Sequence, residues 1–279
     1  PRYAEEEQDA VIEDIVRRDL ATFRDAYGSV PLTNRNHCLY WKGYVDLPRL
    51  YAELGVAMDL NYLSLFQFWQ TYLTGSARPA RFVDTTGEVL DCFQQATVAF
   101  DDASVKSRLA SDPLGEAATT RRLMEENVTR YFGALSMLSH PVSFFTYSSA
   151  YMDEAWRSAR ELGIPIWSAF EWADFVRARD GASIAAARWQ DGRFTCRVAG
   201  TSPRGSLTLM LPVGGPDRGS GDGPDGDPGR GVEGEVRAAV DGEPAPATTQ
   251  VAFGWRYALV PVPLDPERRL ERDVSVWPA

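Results

Sequence analysis

LPRLYAELGVAMDLNY (residues 47–62) decides the fold class. Leu47 to Leu54 reads as a helix, and Gly55 ends it, because glycine accepts the left-handed backbone that closes helices. Val56 to Leu60 then reads as a strand, with Asp59 and Asn61 at its far end. Upstream, the pattern repeats. Val11, Ile12, Ile15, Val16, Leu20 and Phe23 recur at spacings of three and four, so Glu5 to Tyr27 is predicted to be an amphipathic helix. Its first turns carry Glu5, Glu6, Glu7 and Asp9, where the helix dipole favours negative charge, and Gly28 stops it. After Pro31 comes an extended run, Leu32 to Cys38. Helix, strand, helix, strand is the alternation of an α/β fold.

Downstream, residues 63 to 85, opening LSLFQFWQTY, are aromatic and irregular and look like an excursion over one end of a sheet. GEVLDCFQQATV (87–98) follows, with a strand near Val89 to Phe93. Thr119 to Phe132 is predicted helical, and Leu135 to Ser139 is a buried strand ending in His140-Pro141. Next come a loop, a helix from about Ala150 to Leu162, a strand over Ile164 to Ser168 and a helix over Glu171 to Arg179.

At Asp180-Gly181 the apolar period changes from about 3.6 to 2. Seven short runs alternate with turns: 183–189, 193–199, 206–211, 232–240, 248–253, 256–262 and 273–277. QDGR (190–193) and VDGE (240–243) are hairpin signals. The chain is therefore expected to form an α/β domain over 1–181 and a small all-β sandwich over 182–279. GGPDRGSGDGPDGDPGRG (214–231) resembles calcium-binding repeats in composition but lacks their registry, and we expect a surface loop of the sandwich.

The totals bound the function. Hydrophobic residues at 44% and charged residues at 24% are those of a folded globular chain. A net charge of −10 repels phosphate backbones, so nucleic acid is not an expected partner. No apolar run is long enough for a transmembrane helix. Cys38, Cys92 and Cys196 show no paired spacing, which argues against a disulfide framework or a thiolate zinc site. The chain opens on Pro1 without Met and is expected to be a piece of a longer one. An acidic, sandwich-bearing composition points toward export; the odd cysteine count points the other way.

Histidine is scarce: His37, in TNRNHCLYW (33–41), and His140, in LSHP (138–141), are the two in the chain. In parallel α/β barrels, side chains at strand C-termini meet at one face. Arg35 and His37 end one expected strand, Asp59 and Asn61 the next, and His140 a third. Trp41, Tyr62 and Trp69, with Phe66, Phe68 and Tyr72, are candidates to stack on substrate, although aromatic runs more often pack in cores. Arg78, Arg81 and Asp84 lie in GSARPARFVD (75–84), a loop placed to hold substrate.

LSHP followed by a helix and GIPIWS (163–168) resembles the last motif of the polysaccharide deacetylase (NodB-homology) superfamily, in which Leu-x-His ends a strand. The helix, Gly28, Pro31 and Arg35 are similar to the approach to that family's Arg-x-Pro-Tyr motif, with His37 in place of the proline. The resemblance covers residues 4 to 180 in element order. It implies a partial (β/α) barrel and a carbohydrate-active hydrolase in which a divalent metal, zinc or similar, activates water to remove acyl groups from a polysaccharide or amino sugar. It makes His140 the acid that protonates the leaving amine, a task suited to an imidazole, and Arg35 the residue that orients an acidic partner. Asp59, in DLNY (59–62), stands loosely for the family's Asp-x-x-Asp-Trp. The family's metal ligands precede the helix that starts here at Glu5, so they are expected upstream of Pro1. Two other functions remain open. One is a glycoside hydrolase-like barrel pairing Asp59 with Asp84 or Glu171 at the separation such enzymes need. The other is a barrel that binds glycan or protein without catalysis.

Overall fold

Helix α1 (Glu5–Tyr27) has the bounds its periodicity requires, and turns Ile12, Val16 and Leu20 onto a core of Leu47, Leu50, Tyr51, Val56, Leu90 and Cys92. Helix α2 (Asp46–Leu54) lies in the same core and stops at Gly55, whose φ of 86° is the left-handed conformation a side chain would strain. The computed structural model describes residues 5–62, 78–101, 112–214 and 235–279. It divides into two units, Pro1–Ala173 and Asp174–Ala279, a boundary earlier than the expected 181/182.

In the first unit β1 (Thr33–Asn34), β2 (Met58–Asp59) and β4 (Val89–Gln94) run parallel, and β3 (Ala80–Val83) returns antiparallel on β4, in the order β1-β2-β4-β3. β5 (Thr97–Phe100) and β6 (Ser136–Leu138) form a separate parallel pair. This is a mixed α/β arrangement, and no closed barrel forms among the described residues. β1 and β2 are two residues each, shorter than expected, because side-chain amides take over the backbone beyond them: Asn61 Oδ1 accepts Asn36 N at 2.7 Å, and the chain coils into a 3-10 turn at His37–Leu39.

The helix Pro113–Glu126 starts before the expected Thr119. Pro113 suits a first helical position, and Asp112 caps Gly115 N at 2.9 Å. A π-turn, Asn127–Tyr131, closes it. The expected strand over Ile164 to Ser168 does not form. Pro165 lacks the N–H a ladder needs, and Ser168 with Glu171 makes a reciprocal capping box for the helix Ala169–Asp180.

The second unit is a sandwich. Its five-stranded sheet runs β11-β10-β14-β8-β7 and its three-stranded sheet β12-β13-β9. The strands are β7 (Ser183–Gln190), β8 (Arg193–Gly200), β9 (Ser206–Gly214), β10 (Val236–Val240), β11 (Glu243–Ala245), β12 (Thr248–Ala252), β13 (Trp255–Pro263) and β14 (Leu270–Pro278). Cys196, Val198, Val274, Val276 and Ala238 from one sheet meet Leu209, Leu211, Val260 and Val262 from the other. Both expected hairpin turns form, with Asp191-Gly192 and Asp241-Gly242 at positive φ, and Phe253-Gly254 makes a third. On edge strand β7 a bulge between Ala185 and Arg188 puts Ala186 at φ 52°. Apart from Gly214, the Gly/Asp-rich loop 214–231 lies outside the described residues.

Candidate functional site

Where β1, β2, β4 and β5 end, the sequence changes from apolar to polar, yet the chain stays buried. Asp59, Asn61, Gln94, Gln95, Thr97 and Asp101 are all inaccessible or nearly so. Such groups cost several kcal/mol unless bonded, so their partners define the site.

Asp59 sits at the centre with 0% exposure. It accepts Asn61 N at 3.0 Å, Gln94 Nε2 at 2.7 Å and, closer still, Asn61 Nδ2. Burial outweighs these donors and the nearby Arg35 charge, and pushes its carboxyl up to about 7. The network runs on through Asn61 to Asn36 N, and through Asn36 Oδ1 to Asn34 Nδ2 at 2.8 Å and the Tyr51 hydroxyl at 3.1 Å. It thereby holds the turn that carries Arg35 and His37.

Arg35 enters from the end of β1 and spends its donors on Thr97 Oγ1 at 2.9 Å, Ser136 Oγ at 3.1 Å, the Leu60 carbonyl at 3.3 Å and the Met137 carbonyl at 3.5 Å. It ties β2, β5 and β6 together. Burial lowers its pKa to about 10 against the opposing Asp59 charge. Its bonds go to hydroxyls and carbonyls, so any influence on an acidic partner is through space, on Asp59.

His140 follows β6, and Asp101 follows the parallel neighbour β5. The fully buried Asp101 carboxylate holds the histidine twice: Oδ1 lies 2.9 Å from Nδ1, and Oδ2 accepts the backbone N at 2.9 Å. Ser148 Oγ donates to the same Oδ2 at 3.4 Å. In the tautomer that donates Nδ1–H to Asp101, Nε2 is the proton-accepting ring nitrogen. The imidazole is 36% exposed, within reach of a ligand. The chain then makes one helical turn, Pro141–Ser143, and a π-turn, Phe144–Ser148. That path returns Ser148 to Asp101 and leaves Val142 and Phe145 at the surface, Phe145 88% exposed. The strand-end rule that singled out Arg35, Asp59 and His140 also applies to Asp101, but β5 itself was not expected.

The remaining candidates are placed differently. His37 is exposed on its 3-10 turn, and among the described residues its side chain makes no bond to the network. Trp41, Tyr62 and Phe82 pack as a ring cluster, with centroids 4.5 to 5.7 Å apart, against the α1–α2 core. Asp84 closes the β3–β4 turn, accepting Thr86 N, Thr86 Oγ1, Glu88 N and Arg49 Nη2, which hold its carboxyl well below the usual range. Arg81 lies over the Phe93 ring on the neighbouring strand, and Arg78 is exposed just before β3. Trp69, with Phe66, Phe68 and Tyr72, lies outside the described residues. Glu171 serves its capping box. Asp59 is thus sealed, and Asp84 and Glu171 are engaged locally, which leaves a glycosidase-type carboxylate pair little support.

Among the described residues no group of three or more His, Cys, Asp or Glu comes together. The donors described do not by themselves fit a divalent metal. Among the described residues no helix is long and apolar enough to cross a membrane. Comparison with family models, with curated proteins and with solved structures finds no match to the chain.

Proposed function

We propose that the first unit is part of a carbohydrate-active hydrolase of the polysaccharide deacetylase type, removing acyl groups from a glycan or amino sugar. The observation that carries this reading is the Asp101–His140 pair. A buried carboxylate fixes both the backbone and the ring of a partly exposed histidine at the end of a parallel strand. Fixing Nδ1–H makes Nε2 the atom that delivers a proton to a leaving amine or alcohol. Asp101 holds the imidazole in the orientation and tautomer that this transfer needs. Arg35 and the Asp59 network act at one remove, holding β2, β5 and β6 in register beneath the site. Phe145 and Val142, exposed within five residues of the histidine, offer apolar surface on which a sugar ring could rest.

On this reading the parallel strands belong to an incomplete (β/α) barrel, and a divalent metal is held by residues other than those described. The test is acetate release from partly N- and O-acetylated glycans by the longest natural form of the chain. His140→Asn and Asp101→Asn are expected to lower turnover roughly 10²–10⁴-fold with little change in KM. Turnover that survives both substitutions overturns the assignment. The sealed Asp59 and the exposed Phe145 also suit a glycan-binding protein without catalysis, and glycan binding that is indifferent to His140→Asn would select it.

A further inference from the structure

The outer face of the five-stranded sheet carries cations with no carboxylate partner among the described residues. Register and alternation place them. Cys196, Val276 and Ala238 point into the sandwich core, so Arg193, Trp277 and Arg237 point out. They lie in one row across β8, β14 and β10, since Phe194 pairs with Val276 and Arg237 with Trp277. Gln190 extends the row on β7 opposite Arg193, and Arg188 stands opposite Thr195 on the next. The Arg193 guanidinium lies 4.2 Å above the Trp277 ring centroid. That seat holds a planar, five-donor group flat at the surface. Arg188, Arg193 and Arg237 are all exposed. Farther along this same face Arg197 is paired with Asp273 and Glu271, and Arg272 pairs with Asp241. Asp191, in the hairpin turn, and Glu235, two residues before Arg237, stand at the rim.

We propose that this face binds an anionic glycan, a chain of uronic-acid rings, through Arg193, Arg237 and Arg188 around Trp277. Arg193 and Arg237 sit two strands apart, about 10 Å, and each can take a carboxylate through two parallel N–H donors. Gln190, Thr195 and Ser275 lie among them and suit ring hydroxyls. A polyuronate carries one charge per ring. It also carries free hydroxyls on every ring, which matches an arginine row interleaved with Gln190, Thr195 and Ser275; the chain's net charge of −10 opposes any polyanion, so attraction is confined to this face. The site is independent of the chemistry proposed for the first unit.

Affinity electrophoresis of the full chain in gels containing polygalacturonate or uncharged dextran tests it. Retardation is expected in polygalacturonate and not in dextran, weakening as salt rises. Arg193→Ser/Arg237→Ser should lower the affinity at least tenfold, while Arg204→Ser/Arg268→Ser, which removes the same charge from the exposed turns after β8 and β13, leaves it unchanged. Trp277→Ala should weaken it by removing the seat of Arg193; the exposed arginine variants keep the test valid if that variant fails to fold. Absent retardation, retardation indifferent to the double substitution, or equal binding of a single-stranded oligonucleotide overturns the proposal.

Discussion

The two units solve burial in opposite ways. The sandwich core is made of Val, Leu, Ala and one Cys side chain from two facing sheets, and among the described residues of that unit Ser202 is the buried polar one. The first unit buries Asp59, Asn61, Gln94, Gln95, Thr97 and Asp101 where its strands end. A dry core gains stability from almost any well-shaped apolar side chain. A polar belt gains little net stability, because each bond made replaces one with water, and it loses heavily when a partner is missing. The contrast fits the functions proposed above, acid–base chemistry beside the polar belt of the first unit and glycan binding on the outer face of the second.

The contrast breaks first at Asp59. Its carboxyl stands at about 7 in the fold against an ordinary 3.8, so the native state holds more protons than the unfolded chain between those values. Its contribution is fully present below pH about 4 and is lost as pH rises through about 7, by about 4 kcal/mol in all. Urea melts of wild type and Asp59→Asn at a series of pH values isolate it: the difference between the two should change over that window. A flat difference would mean that Asp59 stays ionised throughout. Sharpening comes from the other unit. Val260→Ala, in the fully buried centre of β13, removes two methyl-sized groups from a core without polar members. It should cost about 2 kcal/mol, with no pH dependence between 4 and 8. The smallest effect belongs to the turns. Gly242 sits at φ 85° with nothing within reach of an added Cβ, so Gly242→Ala should cost about 1 kcal/mol through backbone strain alone, read as a small drop in Tm.

Much of this frame was legible in the sequence because its causes are local. The α1 periodicity, the Gly55 stop and the two Asp-Gly hairpins need only neighbours within a few residues. β3 and β5 were not legible. β3 is short and preceded by Pro79, and Gln95-Ala96 interrupts the apolar run between β4 and β5. Asp101 stands in the sequence as one of an Asp-Asp pair with nothing nearby to assign it, since its meaning depends on His140, 39 residues away. Asp84 drew attention as a charge in a loop, whereas its donors lie within four residues except for Arg49. Ile164 to Ser168 is apolar enough for a strand, and Pro165 with the Ser168–Glu171 box decides otherwise.

The bulge in β7 has a consequence for the life of the chain in crowded solution. SIAAARWQ is an outer strand with Ile184 and Trp189 at the surface, on a row of backbone groups that could template another chain. The kink at Ala186 breaks that row in the middle. A second molecule arriving edge-on finds two short, misaligned stretches instead of one continuous ladder, so the protein can keep an apolar margin without growing into ribbons.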